Sequence, residues 1–385
     1  MNISQSQGRV KQLLGLETAP HLKARMTTQW IMLIVLLSLI PAVGVEIYYF
    51  GFGIIFQFLN CTITAVVLEA LVSLLRHQKI SRNVGDLSAI VTSLILALTL
   101  PPMLPCYYSV VATVFAILIV KAIFGGLGQN IFNPAMAGFV FIMISCPGIV
   151  GSSYVSPAPQ AYKAATLTES YSIIYRGASK ELVQNQIDAM TISDDNQESN
   201  DALTMATKLL DKVDVMSGAT YLDAIKSYRK QGELNRLDGH EFTSAKYQAY
   251  LALFIAYCIG GIVLMSFRII IIRMVVAFFA AFVLIQFVMH NLYPGYFMSV
   301  TDGLLIGGTM ICAFYIMTDP VTNAGTSKGR IYFAVLLAFL IVFLRAFGSY
   351  NDTVAFAVML SNACAPLIDV LTKRRAYGIK YRGKH

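Results

Sequence analysis

Charged residues are scarce in this chain: Asp, Glu, Lys and Arg make up 13% of its 385 residues. A water-soluble globule carries about twice that share, so the sequence cannot clothe a water-facing surface of this size. Cysteine is sparse too. The six copies (Cys61, Cys106, Cys146, Cys258, Cys312 and Cys364) form no CxxC and no His/Cys cluster at metal-ligand spacing, which argues against a zinc or iron–sulfur centre. They read as small apolar packing residues. No dinucleotide fingerprint follows a strand and opens a helix, so NADH chemistry is not expected in this chain. The net charge of +8 is not gathered on one soluble module with aromatic stacking positions, which excludes a nucleic-acid partner.

What the chain has instead is apolar length. Hydrophobic residues make up 56% of the sequence and the mean hydropathy is +0.64. About ten runs approach the roughly 20 residues that cross a hydrocarbon core: Trp30–Tyr49, Gly53–Leu75, Leu87–Met103, Ser109–Ile123, Pro134–Cys146, Tyr247–Phe267, Val275–Leu292, Ile306–Met317, Ile331–Leu344 and Val354–Leu371. The short runs are expected to extend into their flanks. The first follows basic residues and lacks a small-residue cleavage site, so it reads as an uncleaved span.

Lys and Arg concentrate in alternate connections, at Arg76, Lys79, Arg82, Lys121, Arg268, Arg273, Lys328 and Arg330, and in both terminal segments. The positive-inside rule then makes both termini cytoplasmic and places the one long hydrophilic segment outside. The expected organisation is a cytoplasmic N-terminal segment (1–28), spans one to five (29–146), an external, periplasmic module (147–246), spans six to ten (247–372) and a basic cytoplasmic tail (373–385). Asp194–Asp201 within the module is acidic and polar, as mobile surface stretches are.

A weak internal repeat runs through the spans. Asp86 to Pro101 is similar to Asp302 to Pro320, and Lys121-Ala-Ile-Phe-Gly is similar to Arg345-Ala-Phe-Gly. Five spans per half would make the halves antiparallel, and inverted repeats place a functional site near their shared interface. The expected fold is therefore an all-α polytopic membrane protein: about ten transmembrane helices in two inverted five-helix repeats, with one large external loop module.

Five groups of residues can carry chemistry. Asp214-Val-Met-Ser217-Gly218-Ala219-Thr220, in the external module, reads on its own as a turn or helix cap. Gly125 to Met136, with Gly128, Asn130 and Asn133, packs glycines, asparagines and a proline between apolar runs, a sign of irregular backbone that is buried or lines a polar cavity. Asp319-Pro320 occupies the comparable connection in the second half. Glu69 lies inside a span, where an ionisable group marks either an ion path or a paired residue. Arg345 reads as a snorkelling interfacial cation or as the counter-charge of a reduced anionic cofactor. Asp86, Asp302 and Asp352 near span ends read as caps.

Taken with Thr18-Ala-Pro-His21, Gly125-Gly-Leu-Gly-Gln-Asn130-Ile-Phe-Asn133-Pro134, Thr318-Asp319-Pro320, Arg345-Ala-Phe-Gly-Ser-Tyr350 and Pro366-Leu-Ile-Asp369, the chain resembles the D subunits of Rnf electron-transport complexes over nearly its full length. It is more distantly similar to the B subunits of sodium-pumping NADH:quinone oxidoreductases. The resemblance implies a subunit of an ion-translocating oxidoreductase in a bacterial inner membrane. FMN would be phosphoester-linked to Thr220 by an FAD-dependent flavin transferase. Gly218 and Ala219 would give that transferase access, and Asp214 and Ser217 would flank the site. The resemblance further implies a non-covalent riboflavin among the spans, served by Gly128, Asn130, Asn133 and Asp319, and partner subunits that include an external FMN-bearing one. No catalytic residue and no metal ligand is expected in this chain.

Two other readings stand beside this one. The first is the quinone-reducing subunit of the sodium pump, disfavoured by the short segment before the first span and its Thr-Ala-Pro-His lead-in. The second is a secondary transporter or channel without flavin.

Overall fold

The computed structural model describes residues 27–126, 128–155, 164–177, 244–348 and 353–373. Among them the only regular structure is helical. The helices are α1 (Thr28–Phe50), α2 (Gly53–Leu75), α3 (Ile80–Val84), α4 (Ser88–Thr99), α5 (Cys106–Val114), α6 (Pro134–Ser145), α7 (Pro147–Ser152), α8 (Leu167–Arg176), α9 (Ser244–Ser266), α10 (Ile272–Leu292), α11 (Val300–Leu305), α12 (Thr309–Ile311), α13 (Ser327–Phe347) and α14 (Val354–Thr372). Two of them continue as π-helix, α5 through Phe115–Ile123 and α12 through Cys312–Ile316.

Among the described residues, seven helical segments are long and apolar enough to cross a membrane: α1, α2, α5 with its π-helical extension, α9, α10, α13 and α14. Three of the runs extend into their flanks as expected, from Ser109 back to Cys106, from Val275 back to Ile272 and from Ile331 back to Ser327. Three others do not. Leu87–Met103 is helical only through Thr99, because Pro101 and Pro102 lack the N–H needed to continue and force Leu100 into extended backbone. Pro134–Cys146 ends where Pro147 begins a separate helix. Ile306–Met317 is broken at Ile306–Gly308, where Gly307 takes a φ of 74°, a left-handed conformation that glycine adopts without strain.

Each break frees backbone carbonyls that lipid cannot satisfy, and at two of them a long side chain closes the gap. The Gln57 amide donates to the carbonyls of Pro102 (3.3 Å) and Leu104 (2.6 Å). The Arg345 guanidinium donates to those of Gly303 (2.7 Å) and Ile306 (3.0 Å). Buried at 5% exposure, Arg345 does not snorkel.

The packing pairs the two halves of the sequence. Helix α1 lies against α9, and α6 against α14; α10 packs on α13, and α2 on α4. The α1–α9 approach is close because Gly260 has no side chain. A Cβ there would strike the Ser38 carbonyl and the Tyr315 hydroxyl, which themselves join in a 3.0 Å hydrogen bond.

Chain direction sorts the connections. Thr28, Arg76, Lys121, Asn133, Ser266, Asp319 and Lys373 lie toward one end of the bundle, called the near end below. Pro101, Leu292, Ile306 and Phe347 lie toward the far end.

Candidate functional site

At the near end, a cavity of about 360 Å³ opens between the two halves of the bundle, within the size range of small-ligand sites. Its walls are largely apolar, from α1, α4 and the end of α9, with Phe314 and Tyr315 beside them. The polar groups come from corresponding connections: Asn130 and Asn133 from the first half, Asp319 and Thr318 from the second, with Lys121 and Arg268 at the wall.

The chain folds this way locally because its asparagines and Asp319 serve the backbone. Asn133 is the N-cap of α6, its Oδ1 accepting from Ala135 N at 3.1 Å and Met136 N at 3.3 Å, with Pro134 in the first turn. Asn130 donates to the Phe132 carbonyl at 3.0 Å. Asp319 accepts from Val321 N and from the Thr322 hydroxyl, both at 3.1 Å. Burial pushes the Asp319 carboxyl above its ordinary range, and those two donors draw it back. The sequence posed a choice between a structural turn and a polar cavity. The structure has both, from the same residues.

Lys121 is the residue whose position the sequence did not reveal. It counted there as one more basic residue in a near-end turn, yet it is 6% exposed and sits in the π-helical extension of α5. Its Nζ donates to Glu69 Oε1 in a buried ion pair and to Ser88 Oγ at 2.7 Å. Ser88 Oγ in turn donates to Asp86 Oδ1 at 2.5 Å, and Ser88 N to the same oxygen at 2.8 Å. Glu69 is therefore a paired residue, and Asp86, one residue before the Leu87 N-cap, accepts from the first N–H of α4. On the other side of Lys121 lies a second, polar cavity of about 210 Å³, lined by Glu69, Asp86, Asn83, Arg76 and Gly125. Arg76 closes part of it by donating to the Ala122 carbonyl.

Backbone strain gathers at the same end. The non-glycine residues with positive φ among the described residues are His77 (54°), Leu87 (62°) and Arg268 (56°), all in near-end connections. Leu87 directly precedes Ser88, and Arg268 lines the large cavity. Such conformations cost of order 1 kcal/mol or more each and persist where the surroundings fix them, often at functional sites.

A third cavity, of about 170 Å³, lies at the far end between the two breaks. Thr99, Gly307, Gly308, Tyr250 and Tyr257 line it, together with Glu46 of α1. Glu46 was missed from sequence, although an acidic residue inside the first apolar run was the signal that could have found it.

The remaining expected residues divide as follows. Gly128 is exposed in the turn before Asn130 and lies outside the cavity wall. Arg345 is at the opposite end of the bundle, holding the Gly303–Ile306 break. Asp302 sits in the first turn of α11, its N–H donating to the Ser299 hydroxyl at 3.1 Å. Thr220, Asp214, Ser217, Gly218, Ala219 and Asp352 lie outside the described residues.

A family model described as the NQR2, RnfD, RnfE family matches residues 16–378. The chain is 34% identical to the D subunit of an ion-translocating oxidoreductase complex from Tolumonas auensis, an alignment covering 94% of this chain and 99% of that one. It is 36% identical to the protein of the same name from Shewanella frigidimarina, over 94% and 97%. A Vibrio cholerae protein, also so named, is 35% identical over 94% and 98%.

Proposed function

Since the chain belongs to the NQR2, RnfD, RnfE family, we propose that it relays electrons through two flavins, an FMN esterified to Thr220 and a riboflavin-like flavin held non-covalently at the near end. The chain itself is a multi-pass membrane subunit of an ion-translocating oxidoreductase complex. Flavins supply one-electron redox chemistry when bound, and the protein supplies position and electrostatics.

The observation that carries the non-covalent site is the large cavity between the halves. Its size suits a flat tricyclic ring, its walls are mostly apolar, and its few polar groups converge from the two connections. Asn130 and Asn133 carry amides that can donate to or accept from a ring edge. Phe314 and Tyr315 offer aromatic surface. Helices α1, α4 and α9 keep water from the apolar faces.

For the covalent site, support comes from the Ser217-Gly218-Ala219-Thr220 motif and from the family. The Thr220 hydroxyl would attack the pyrophosphate of FAD, keep the FMN phosphate as its ester and release AMP. With near-end cations at Arg76, Lys79, Arg273, Lys328 and Arg330, the near end is cytoplasmic. Residues 147–246 are then periplasmic, where an external FMN-bearing partner subunit would meet Thr220. Electrons pass between that FMN and the near-end flavin through the bundle.

The test is mass spectrometry of the Thr220 peptide from protein made in a host with a flavin transferase, together with acid extraction of non-covalent flavin. The expected result is an FMN-ester mass that Thr220→Ala abolishes, with one flavin still extractable from the variant. An unmodified peptide made alongside a working transferase overturns the covalent site, and absence of extractable flavin overturns the cavity site.

A further inference from the structure

We propose that Lys121 is the counter-charge for the electron carrier in the near-end cavity and that Glu69 attenuates it. The proposal rests on reading that cavity as a flavin site. Lys121 is the residue that lines both the large apolar cavity and the adjoining polar one. An ammonium has three donors. Glu69 Oε1 and Ser88 Oγ take two of them, and one is left for the cavity.

Burial gives this charge its reach. Lys121 and Glu69 are 6% and 8% exposed, so water screens them little and an effective dielectric near 20 applies in place of about 80. When one electron arrives on the ring, no bond forms or breaks, Lys121 keeps its proton, and one negative charge is added within its field. An unopposed cation would favour that state strongly. Glu69 opposes it, with one oxygen on Lys121 and the other, Oε2, buried without a hydrogen-bond partner among the described residues. The pair thus presents the cavity with a partly cancelled positive charge whose size depends on Glu69.

The other ionisable groups are placed so that the effect can be separated from theirs. Asp86 shares the polar cavity with Lys121 and Glu69 and joins Lys121 through the Ser88 hydroxyl. Arg76 lies in the polar cavity with its guanidinium on the Ala122 carbonyl. Arg268 and Asp319 face the large cavity from the other half of the bundle.

The test is a redox titration, followed by flavin absorbance, of the non-covalent flavin in the full-length chain carrying Thr220→Ala. Lys121→Gln should shift the oxidised-to-reduced ratio at a fixed ambient potential about tenfold toward oxidised, a fall of about 59 mV for a one-electron step. Glu69→Gln should move it the other way, and Lys121→Arg should leave it within about twofold. If Lys121→Gln does not accumulate, the Glu69→Gln/Lys121→Gln double variant leaves no buried charge unpaired. Its midpoint should fall below that of Glu69→Gln alone, and equality of the two overturns the proposal. Bound flavin with an unmoved midpoint in both single variants overturns it too, as does a shift in the same direction in both, which is what loosened packing produces. A parent protein without extractable flavin overturns the underlying cavity reading instead.

Discussion

The two buried cations at opposite ends of the bundle invite comparison, because the sequence aligns them: Lys121-Ala-Ile-Phe-Gly in the first half and Arg345-Ala-Phe-Gly in the second. Each reaches across to a helix that has an aspartate at or just before its first turn. Lys121 donates to Ser88, two residues past Asp86, and Arg345 to the carbonyl of Gly303, one residue past Asp302. That relation recurs at opposite ends of the bundle. The partners differ in kind. Lys121, a point charge, meets the Glu69 carboxylate and a hydroxyl. Arg345, a planar fork, spans two main-chain carbonyls of a broken helix, and neutral Gln286 packs beside Gly303. The lesson is that two similar stretches of sequence can hold either a charge pair bordering cavities or a backbone clamp.

Breaking the Lys121 side of the comparison should have the largest effect. Lys121→Met leaves Glu69 ionised and alone in a buried site, a change that costs about 3–5 kcal/mol when one partner of a buried pair is removed. The double variant Glu69→Gln/Lys121→Met should recover most of that loss, because two well-packed neutral side chains replace the pair. The thermal midpoint of the purified protein in detergent measures both. A double variant no more stable than Lys121→Met would show that Lys121 acts through packing.

On the other side, Arg345→Lys should cost about 2 kcal/mol, the worth of a hydrogen bond from a charged group. An ammonium cannot hold Gly303 O and Ile306 O in the fixed fork geometry that a guanidinium offers. The same exchange made at Lys121, Lys121→Arg, should cost less, since Glu69 accepts either cation. Equal losses at the two positions would erase the distinction between pair and clamp.

How much of this was legible in the sequence follows from which physical signals are local. Apolar length located the helical segments, and the Asn133-Pro134 and Asp319-Pro320 pairs marked the connections that build the large cavity. The break at Leu100–Pro102 was readable from its prolines, yet the apolar run was carried through to Met103 because hydrophobicity alone has no term for a missing N–H. Lys121 reads as part of a turn in the sequence because its depth is set by the π-helical stretch Phe115–Ile123, and the widened winding has no sequence signature of its own. The Glu69–Lys121 pair joins residues 52 positions apart, a contact that periodicity cannot supply. Arg345 reads in the sequence as an interfacial cation or a cofactor counter-charge because its partners are carbonyls, which every residue has.

The smallest expected effect separates the two roles of Asn133, the first-half residue that both caps a helix and faces the cavity. Serine also caps well, so Asn133→Ser should change stability by only about a few tenths of a kcal/mol, while removing the amide that can address a ring edge. Extractable flavin per chain should then fall severalfold at nearly unchanged thermal midpoint. Asp319→Asn provides the matching measurement in the second half: its amide oxygen can still accept from Val321 N and its NH2 can donate to the Thr322 hydroxyl oxygen, so the turn should hold while the cavity loses a carboxyl. Loss of flavin in the first variant but not in the second would place recognition on the first-half connection. Full occupancy in both would leave these side chains with capping alone, and the ring would then be held by the apolar walls and by Lys121.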